Sequence, residues 1–179
     1  MPATIGILLS GGLDSAILYY LLQLENKNTG SIHEIVPLSI MRKEGSKYFS
    51  NLVVAHVHGQ LGLPIVDHTI IGDNTLFEYE QVGSGVRQAF DQEFTHVYLG
   101  IIYQLEIHME GWSPIPYKVT DKLRAPFRKL TKTHIVDLIR TYNQEALYYI
   151  THSCSIYEVG RCNTCNGCKE RAWGFEQLN

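Results

Sequence analysis

Short apolar runs alternate with segments of helical periodicity along most of the chain. Residues 4–9 are apolar, Ser10-Gly11-Gly12 interrupts that run, and residues 15–24 follow with apolar positions three and four apart. This order predicts a strand, a glycine loop and a helix. The same signals predict further strands over 33–40, 65–70 and 96–101, a short one over 148–151, and helices over 48–61, the second half of 74–93, and 131–142. Thr131 is the predicted N-cap of the last helix, and residues 105–122 are predicted to be irregular.

The regular alternation of strands and helices predicts the fold class. Parallel strands joined by right-handed helical crossovers build a doubly wound sheet. We therefore expect an α/β fold with a mostly parallel, Rossmann-like sheet, in which ligands bind beyond the carboxyl ends of the strands. At 179 residues the chain fits one domain. We expect its core over residues 1–150 and a C-terminal cysteine segment of the same domain over 151–179.

The glycine loop has the composition of an anion-binding site. Glycines let the backbone approach phosphate oxygens, and the amides and dipole at the start of a helix attract negative charge. Ser10 and Ser15 add hydroxyl donors. Asp14 suits this position chiefly if it shares a magnesium ion with a nucleotide. The alternative is a tight strand-to-helix turn in which Asp14 and Ser15 only cap the helix.

The four cysteines of the chain lie close together near its C-terminus. Cys154, Cys162, Cys165 and Cys168 are separated by seven, two and two residues, a spacing that can direct four thiolates at one point. Four ligands leave no open coordination position, so the site is expected to be structural. Zinc and an iron-sulfur cluster both remain open from the spacing. His152 is expected beside the ligands rather than among them.

Composition narrows the classes of partner. Eighteen acidic and fifteen basic residues give a net charge of −3, which argues against a protein that mainly neutralises nucleic-acid phosphates. A basic stretch over residues 118–132 leaves nucleic acid open as a partner without favouring it. No secretory signal or membrane-spanning run is present in the sequence. We therefore expect a cytoplasmic protein without a membrane partner.

Three segments resemble the 7-cyano-7-deazaguanine synthase family of PP-loop ATP pyrophosphatases. They are residues 8–15, with the Ser-Gly-Gly-x-Asp-Ser signature, residues 125–132, and residues 152–175 with the cysteines. The resemblance implies an adenine nucleotide alpha hydrolase-like fold, and ATP, Mg²⁺ and Zn²⁺ as cofactors. It also implies that ATP activates the carboxylate of 7-carboxy-7-deazaguanine, which ammonia converts to the nitrile in queuosine-type biosynthesis. A homodimer is an expectation from the family alone.

Carried over by position, the resemblance also implies roles for individual residues. The glycine loop would bind the β and γ phosphates of ATP with magnesium, Lys132 would reach toward the phosphates, and the four cysteines would hold zinc. The alternative for Lys132 is a solvated lysine in the first turn of its helix. Ser39 and Gly100 stand at the carboxyl ends of two predicted strands; in such folds the position of Ser39 lies beside adenine, and the alternative is that Ser39 is only a core residue of its strand. The residues so assigned to the nucleotide are Leu8, Leu9, Ser10, Gly11, Gly12, Leu13, Asp14, Ser15, Ser39 and Gly100, and the catalytic set is Ser10, Asp14, Ser15 and Lys132.

The middle of the chain departs from that family. Its Pro-Gly-Arg-Asn segment is replaced by residues 82–88, where only Gly85 and Arg87 match, and the segments over 40–45 and 101–118 lack family residues. In a divergent relative the acceptor would be another carboxylate, purine, nucleic acid or protein terminus, as in a phage or defence system. Candidate acceptor residues are then Arg87, Glu106, His108 and Glu110. A tRNA-modifying sulfur or nitrogen transferase and a nucleotide-binding module without catalysis are the remaining alternatives.

Overall fold

The computed structural model describes residues 3–40, 46–73, 75–76, 78–104 and 120–178. These residues form five strands and six helices arranged as an α/β domain. The strands are β1 (Thr4–Leu8), β2 (Glu34–Ile40), β3 (Thr69–Ile71), β4 (His96–Leu99) and β5 (Leu123–Arg124). The helices are α1 (Leu13–Asn28), α2 (Ser46–Leu61), α3 (Glu78–Asp91), α4 (Lys132–Thr141), α5 (Leu147–Ile150) and α6 (Asn166–Glu176).

The five strands form one parallel sheet in the order β3-β2-β1-β4-β5. Leu8, at the end of β1, is in register with Leu38 of β2 on one side and with Leu99 of β4 on the other. The chain order reverses between β1 and β4, which is where doubly wound folds bind ligands beyond the carboxyl ends of the strands. The predicted fold class is confirmed.

Apolar side chains pack on both faces of this sheet. Successive residues of a strand point to opposite faces, so Ile7 belongs to the cluster formed with α1, α2 and α4, while Leu8 belongs to the cluster formed with α3. Burial on both faces is typical of a parallel sheet covered by helices on each side. Within the described part of the chain, no helix is long and apolar enough to cross a membrane.

Four local features differ from expectation or were not anticipated. The strand predicted over 65–70 is only Thr69–Ile71, and Ile65 is 80% exposed, so that apolar run does not reflect burial. Residues 148–151 were predicted as a strand, but Leu147–Ile150 is a helical turn, because a short apolar run does not by itself distinguish helix from strand. β5 and α6 carried no prediction. The irregular segment predicted over 105–122 lies mostly outside the described residues.

The predicted cap of α4 is confirmed. Thr131 is the N-cap, in an extended conformation, and the helix starts at Lys132. The Thr131 backbone N–H donates a hydrogen bond of 3.1 Å to Nδ1 of His134, which satisfies an amide that the helix itself cannot pair. The cap thus makes Lys132 the first residue of α4.

Candidate functional site

The glycine loop turns sharply between β1 and α1. Gly11 has a φ of +75°, a left-handed conformation that costs an L side chain about 1–2 kcal/mol. Gly12 is the N-cap of α1, and the Ser15 hydroxyl donates to the Gly12 carbonyl at 3.2 Å. Ser10 donates its backbone N–H to the Ser15 oxygen, also at 3.2 Å. The two serines thus hold the loop closed around the start of the helix.

The glycine loop places the first turn of α1 at the carboxyl end of β1. The first amides of an α-helix have no partner within the helix, and the helix dipole places partial positive charge there. Leu8, Leu9 and Leu13 are buried apolar residues, so their side chains anchor the loop in the core. Any contact that these three residues make with a ligand must come from their backbone.

Asp14, Lys132 and Glu170 form a buried charge cluster beside this loop. Lys132 Nζ lies 2.6 Å and 2.7 Å from the two Asp14 carboxylate oxygens and 3.3 Å from Glu170 Oε2. Burial lowers the pKa of Lys132, but the Asp14 and Glu170 charges more than offset burial and raise it above its usual value. Burial raises the pKa of Glu170, partly offset by the Lys132 ammonium. Lys132 is therefore protonated, and its positive charge interacts with both carboxylates.

Glycine makes the close approach of Lys132 to α6 possible. A Cβ added at Gly174 would stand 2.5 Å from Lys132 Cγ, well inside van der Waals contact. The sequence alone did not single out Glu170, because its local pattern does not separate it from a surface glutamate. Only the packing of α6 against α4 buries this residue beside Lys132.

A cavity of about 260 Å³ lies between the glycine loop and the cysteine segment. It combines the hydroxyl and carboxylate groups of the loop, the buried ammonium and the polar residues of the segment that precedes α6. Residues lining it are Ser10, Gly12, Asp14, Phe49, Gln104, Lys132, His152, Ser153, Cys154, Ser155, Gly167 and Glu170. The cavity therefore brings together three of the four residues predicted to be catalytic, Ser10, Asp14 and Lys132. The fourth, Ser15, does not line the cavity but forms hydrogen bonds with Ser10.

The four cysteines converge on one point. The Sγ atoms of Cys154, Cys162, Cys165 and Cys168 all lie within 4.8 Å of one another. A single tetrahedral ion with bonds of about 2.3 Å separates its sulfur ligands by roughly 3.8 Å, so the cluster fits one ion after a small contraction. The predicted convergence of the four thiols into a metal-binding group is confirmed, and the identity of the metal stays a prediction.

The environment of Cys162 favours a thiolate. The Thr164 hydroxyl, the Thr164 N–H and the Cys165 N–H donate to Cys162 Sγ at 3.3, 3.4 and 3.2 Å. These bonds, with that of the Thr164 hydroxyl the largest, lower the pKa of Cys162 to about 5. Burial instead raises the pKa of Cys168 to about 12. A cation among the four sulfurs would supply the charge that Cys168 needs to lose its proton.

The cysteine segment also supports the glycine loop. The His152 backbone N–H donates to the Gly11 carbonyl at 2.9 Å, and the His152 ring stacks on Phe49 with 4.6 Å between ring centroids. Arg171, which is 1% exposed, donates to the hydroxyls of Thr151 and Ser153 at 3.1 and 3.3 Å. As expected, His152 lies beside the metal-binding group, which consists of cysteines alone among the described residues.

Of the remaining assigned residues, two support the glycine loop, one lies away from the cavity and three are outside the described residues. Ser39 is fully buried, and its hydroxyl donates to the Leu9 carbonyl at 3.2 Å, so this hydroxyl braces the loop from below. Gly100 packs against the first turn of α1. Arg87 is exposed on α3 and does not line the cavity. Glu106, His108 and Glu110 lie outside the described residues.

Gly100 offers a direct test of this packing. A Cβ at this position would lie 2.7 Å from Ser15 N and 2.8 Å from Ser15 Cα, and backbone atoms at a helix start cannot move aside without shifting the loop. We expect Gly100→Ala to lower the free energy of unfolding by about 1–3 kcal/mol, measured by urea denaturation. Gly59→Ala on α2, where a Cβ meets nothing within 4 Å, is the control and is expected to be neutral or slightly stabilising. Equal stability of the two variants would contradict the close contact.

Comparisons with known proteins bear on the C-terminal part of the site. Residues 114–179 match the family model described as queuosine biosynthesis protein QueC. The structure of the U34-tRNA thiolase NcsA from Methanococcus maripaludis, with its 4Fe-4S cluster, matches 98% of this chain and 72% of the thiolase chain at 12% identity and a TM-score of 0.46. Similarity at that level carries no argument about function. No curated protein matches the sequence.

The family match covers one side of the cavity. Its range contains Lys132, Glu170 and the four cysteines, whereas the glycine loop lies outside it. The resemblance recognised in residues 125–132 and 152–175 is thereby confirmed. Over residues 114–179, which are less than half of its length, the chain is similar to QueC proteins.

Proposed function

We propose that the chain is an ATP-dependent ligase that adenylates a carboxylate and transfers the resulting acyl group to ammonia. The family match supports the coarser assignment, an enzyme of the PP-loop ATP pyrophosphatase type. The sequence resemblance suggests 7-carboxy-7-deazaguanine as the acceptor and 7-cyano-7-deazaguanine as the product. The observation that carries the proposal is the meeting of the α1 start, Lys132 and the cysteine segment at one cavity.

The residues of the cavity suit the separation of pyrophosphate from ATP. A carboxylate oxygen of the acceptor attacks the α-phosphorus, pyrophosphate leaves, and ammonia then displaces AMP from the acyl group to give an amide. For the nitrile, the amide oxygen attacks a second ATP in the same way, pyrophosphate leaves again, and loss of AMP and the two amide protons forms the C≡N bond. The amides at the start of α1 and the Lys132 ammonium stabilise the negative charge that gathers on the departing phosphates. We assign Asp14, which is 21% exposed at the cavity, to the magnesium of the nucleotide.

We propose that the metal in the cysteine cluster is a structural zinc ion. Sulfur atoms within 4.8 Å of one another fit a single tetrahedral ion. A four-iron cluster binds each cysteine to a different iron, so its thiolates must stand farther apart than those around one ion. Four thiolates leave no position for a substrate, and the ion would act by holding the segment that supports Gly11.

The ligase proposal is tested by supplying the purified chain with ATP, magnesium, ammonia and 7-carboxy-7-deazaguanine. We expect pyrophosphate release that depends on the acceptor, and an amide or nitrile product identified by mass spectrometry. Lys132→Met should remove this activity, because the phosphates lose their cation. Lys129→Met, at an exposed position three residues earlier, is the control and should keep it. Absence of pyrophosphate release with every carboxylate supplied would reject the ligase.

A different acceptor is the second candidate, and one observation favours it. Arg87, one of the two residues that match the family in the middle segment, is exposed on α3 and does not line the cavity. An acceptor pocket built as in 7-cyano-7-deazaguanine synthases therefore lacks this contact. Pyrophosphate release with another carboxylate, but none with 7-carboxy-7-deazaguanine, would select this candidate.

A further inference from the structure

Lys132 lies between two carboxylates, and only one of them belongs to the glycine loop. The Lys132 side chain is 3% exposed, that of Glu170 is 9% exposed and that of Asp14 is 21% exposed. Nζ contacts both Asp14 oxygens, at 2.6 and 2.7 Å, and Glu170 Oε2 at 3.3 Å. Asp14 is thus the outer partner of the ammonium at the cavity, and Glu170 is the inner one.

This arrangement sets a problem for a nucleotide site that uses Asp14. Both Asp14 oxygens contact the ammonium, so Asp14 must turn away from Lys132 before it can bind a magnesium ion. A buried ammonium left without a counter-charge is strongly unfavourable. A second carboxylate on the far side of Nζ removes that difficulty, because Lys132 then stays paired when Asp14 turns.

We propose that Glu170 is a positioning residue that keeps Lys132 paired and so lets Asp14 turn to the magnesium of a bound nucleotide. The proposal rests on the nucleotide site proposed above. The two carboxylates and one ammonium together carry a net charge of −1, which attracts the magnesium ion as well. Removing the Glu170 charge weakens both effects, so the contribution of magnesium to nucleotide binding must fall.

Packing makes Glu170 the stationary partner and Asp14 the movable one. Gly174, one turn after Glu170 on α6, leaves space for the Lys132 stem, where a Cβ would stand 2.5 Å from Lys132 Cγ. Glu170 and Lys132 are therefore held together by the contact between α6 and α4. Asp14 lies in the first turn of α1, and its partly exposed side chain borders the cavity.

The first test measures ATP binding by calorimetry with and without Mg²⁺. We expect Mg²⁺ to tighten ATP binding to the unaltered chain, and Glu170→Gln to reduce that tightening about tenfold, equivalent to about 1.4 kcal/mol. Binding of ATP without Mg²⁺ should be equal or tighter in Glu170→Gln, because less negative charge faces the phosphates. If Glu170 only supported the fold, Glu170→Gln would weaken ATP binding equally with and without Mg²⁺. Glu176→Gln, exposed on the same helix, is the charge-matched control and should behave as the unaltered chain.

The second test needs no nucleotide. If the two carboxylates share Lys132, each of Asp14→Asn and Glu170→Gln leaves the ammonium with one partner, whereas the double variant removes both ion pairs that the described residues provide. We expect the fall in melting temperature of the double variant to exceed the sum of the single falls by at least about 4 °C. Additive falls would overturn the proposal. Unfolding by Glu170→Gln alone would also overturn it, since Asp14 would then be unable to hold the ammonium.

The outcomes separate this inference from the proposed function. If the unaltered chain binds ATP with help from Mg²⁺ and Glu170→Gln does the same, the role of Glu170 is rejected and the nucleotide site stands. If no ATP binds with or without Mg²⁺, the nucleotide site itself is rejected, and the role of Glu170 with it. An additional fall in the double variant would then show only that the buried charges are coupled.

Discussion

Asp14→Asn is expected to lower the rate of pyrophosphate release by about a hundredfold or more while the chain stays folded. An amide of the same size keeps the shape of the first turn of α1, but it lacks the charge that a magnesium ion requires. Lys132 retains Glu170 at 3.3 Å, so the buried ammonium is not left unpaired. Steady-state pyrophosphate release measures the first effect, and circular dichroism with a thermal melt measures the second.

The control for this variant is Asp137→Asn, which removes the same charge from an exposed position on α4. It should leave both the rate and the melting temperature unchanged. A rate near that of the unaltered chain in Asp14→Asn would remove Asp14 from the catalytic set. Loss of folded structure would instead mean that its pair with Lys132 mainly stabilises the fold.

Cys162→Ser is expected to lower the melting temperature by about 10 °C, because a structural zinc ion contributes folding energy directly. Cys162 is the cysteine whose pKa is lowered to about 5, first by the Thr164 hydroxyl and then by neighbouring backbone amides. Its loss removes one of the four ligands, and the environment of that ligand favours the thiolate. Thermal melts before and after chelation measure the effect, and elemental analysis of the unaltered chain should find one zinc ion.

The control for Cys162→Ser is Glu158→Gln, a substitution in the exposed loop between the first two cysteines. It should melt as the unaltered chain does and keep its metal. Chelation should bring the unaltered chain down to the melting temperature of Cys162→Ser. A melting temperature insensitive to chelation would argue against structural metal, and iron with acid-labile sulfide in place of zinc would overturn the assignment of the ion.

Features encoded by neighbouring residues could be predicted without coordinates. The apolar run of β1, the glycines after it and the periodicity of α1 are all local signals, and the structure has a strand, a loop and a helix there. Thr131 was identified as a cap from its residue type and position. The close spacing of the last three cysteines limits how far apart their thiols can lie, so their convergence could also be predicted.

Features that depend on burial by distant segments could not be predicted. The apolar residues of α5 fit a strand equally well, and the turn that begins at Leu147 is buried by its packing against α1 and α2. Ile65 belongs to an apolar run but stays exposed, since none of the described helices and strands covers it. β5 has two residues, too few for any periodicity, and it exists because β4 offers a parallel edge.

The amino-acid sequence alone therefore specified the glycine loop, the helix cap and the cysteine group, because each depends on contacts over a few positions. The pairing of the Lys132 ammonium with two carboxylates was set only by the tertiary structure. Asp14 and Lys132 are 118 positions apart, and Glu170 enters from a third helix that carried no prediction. Their charges meet only because α1, α4 and α6 pack at one end of the sheet and exclude water there, and no local pattern specifies which charged side chains such packing will bury together.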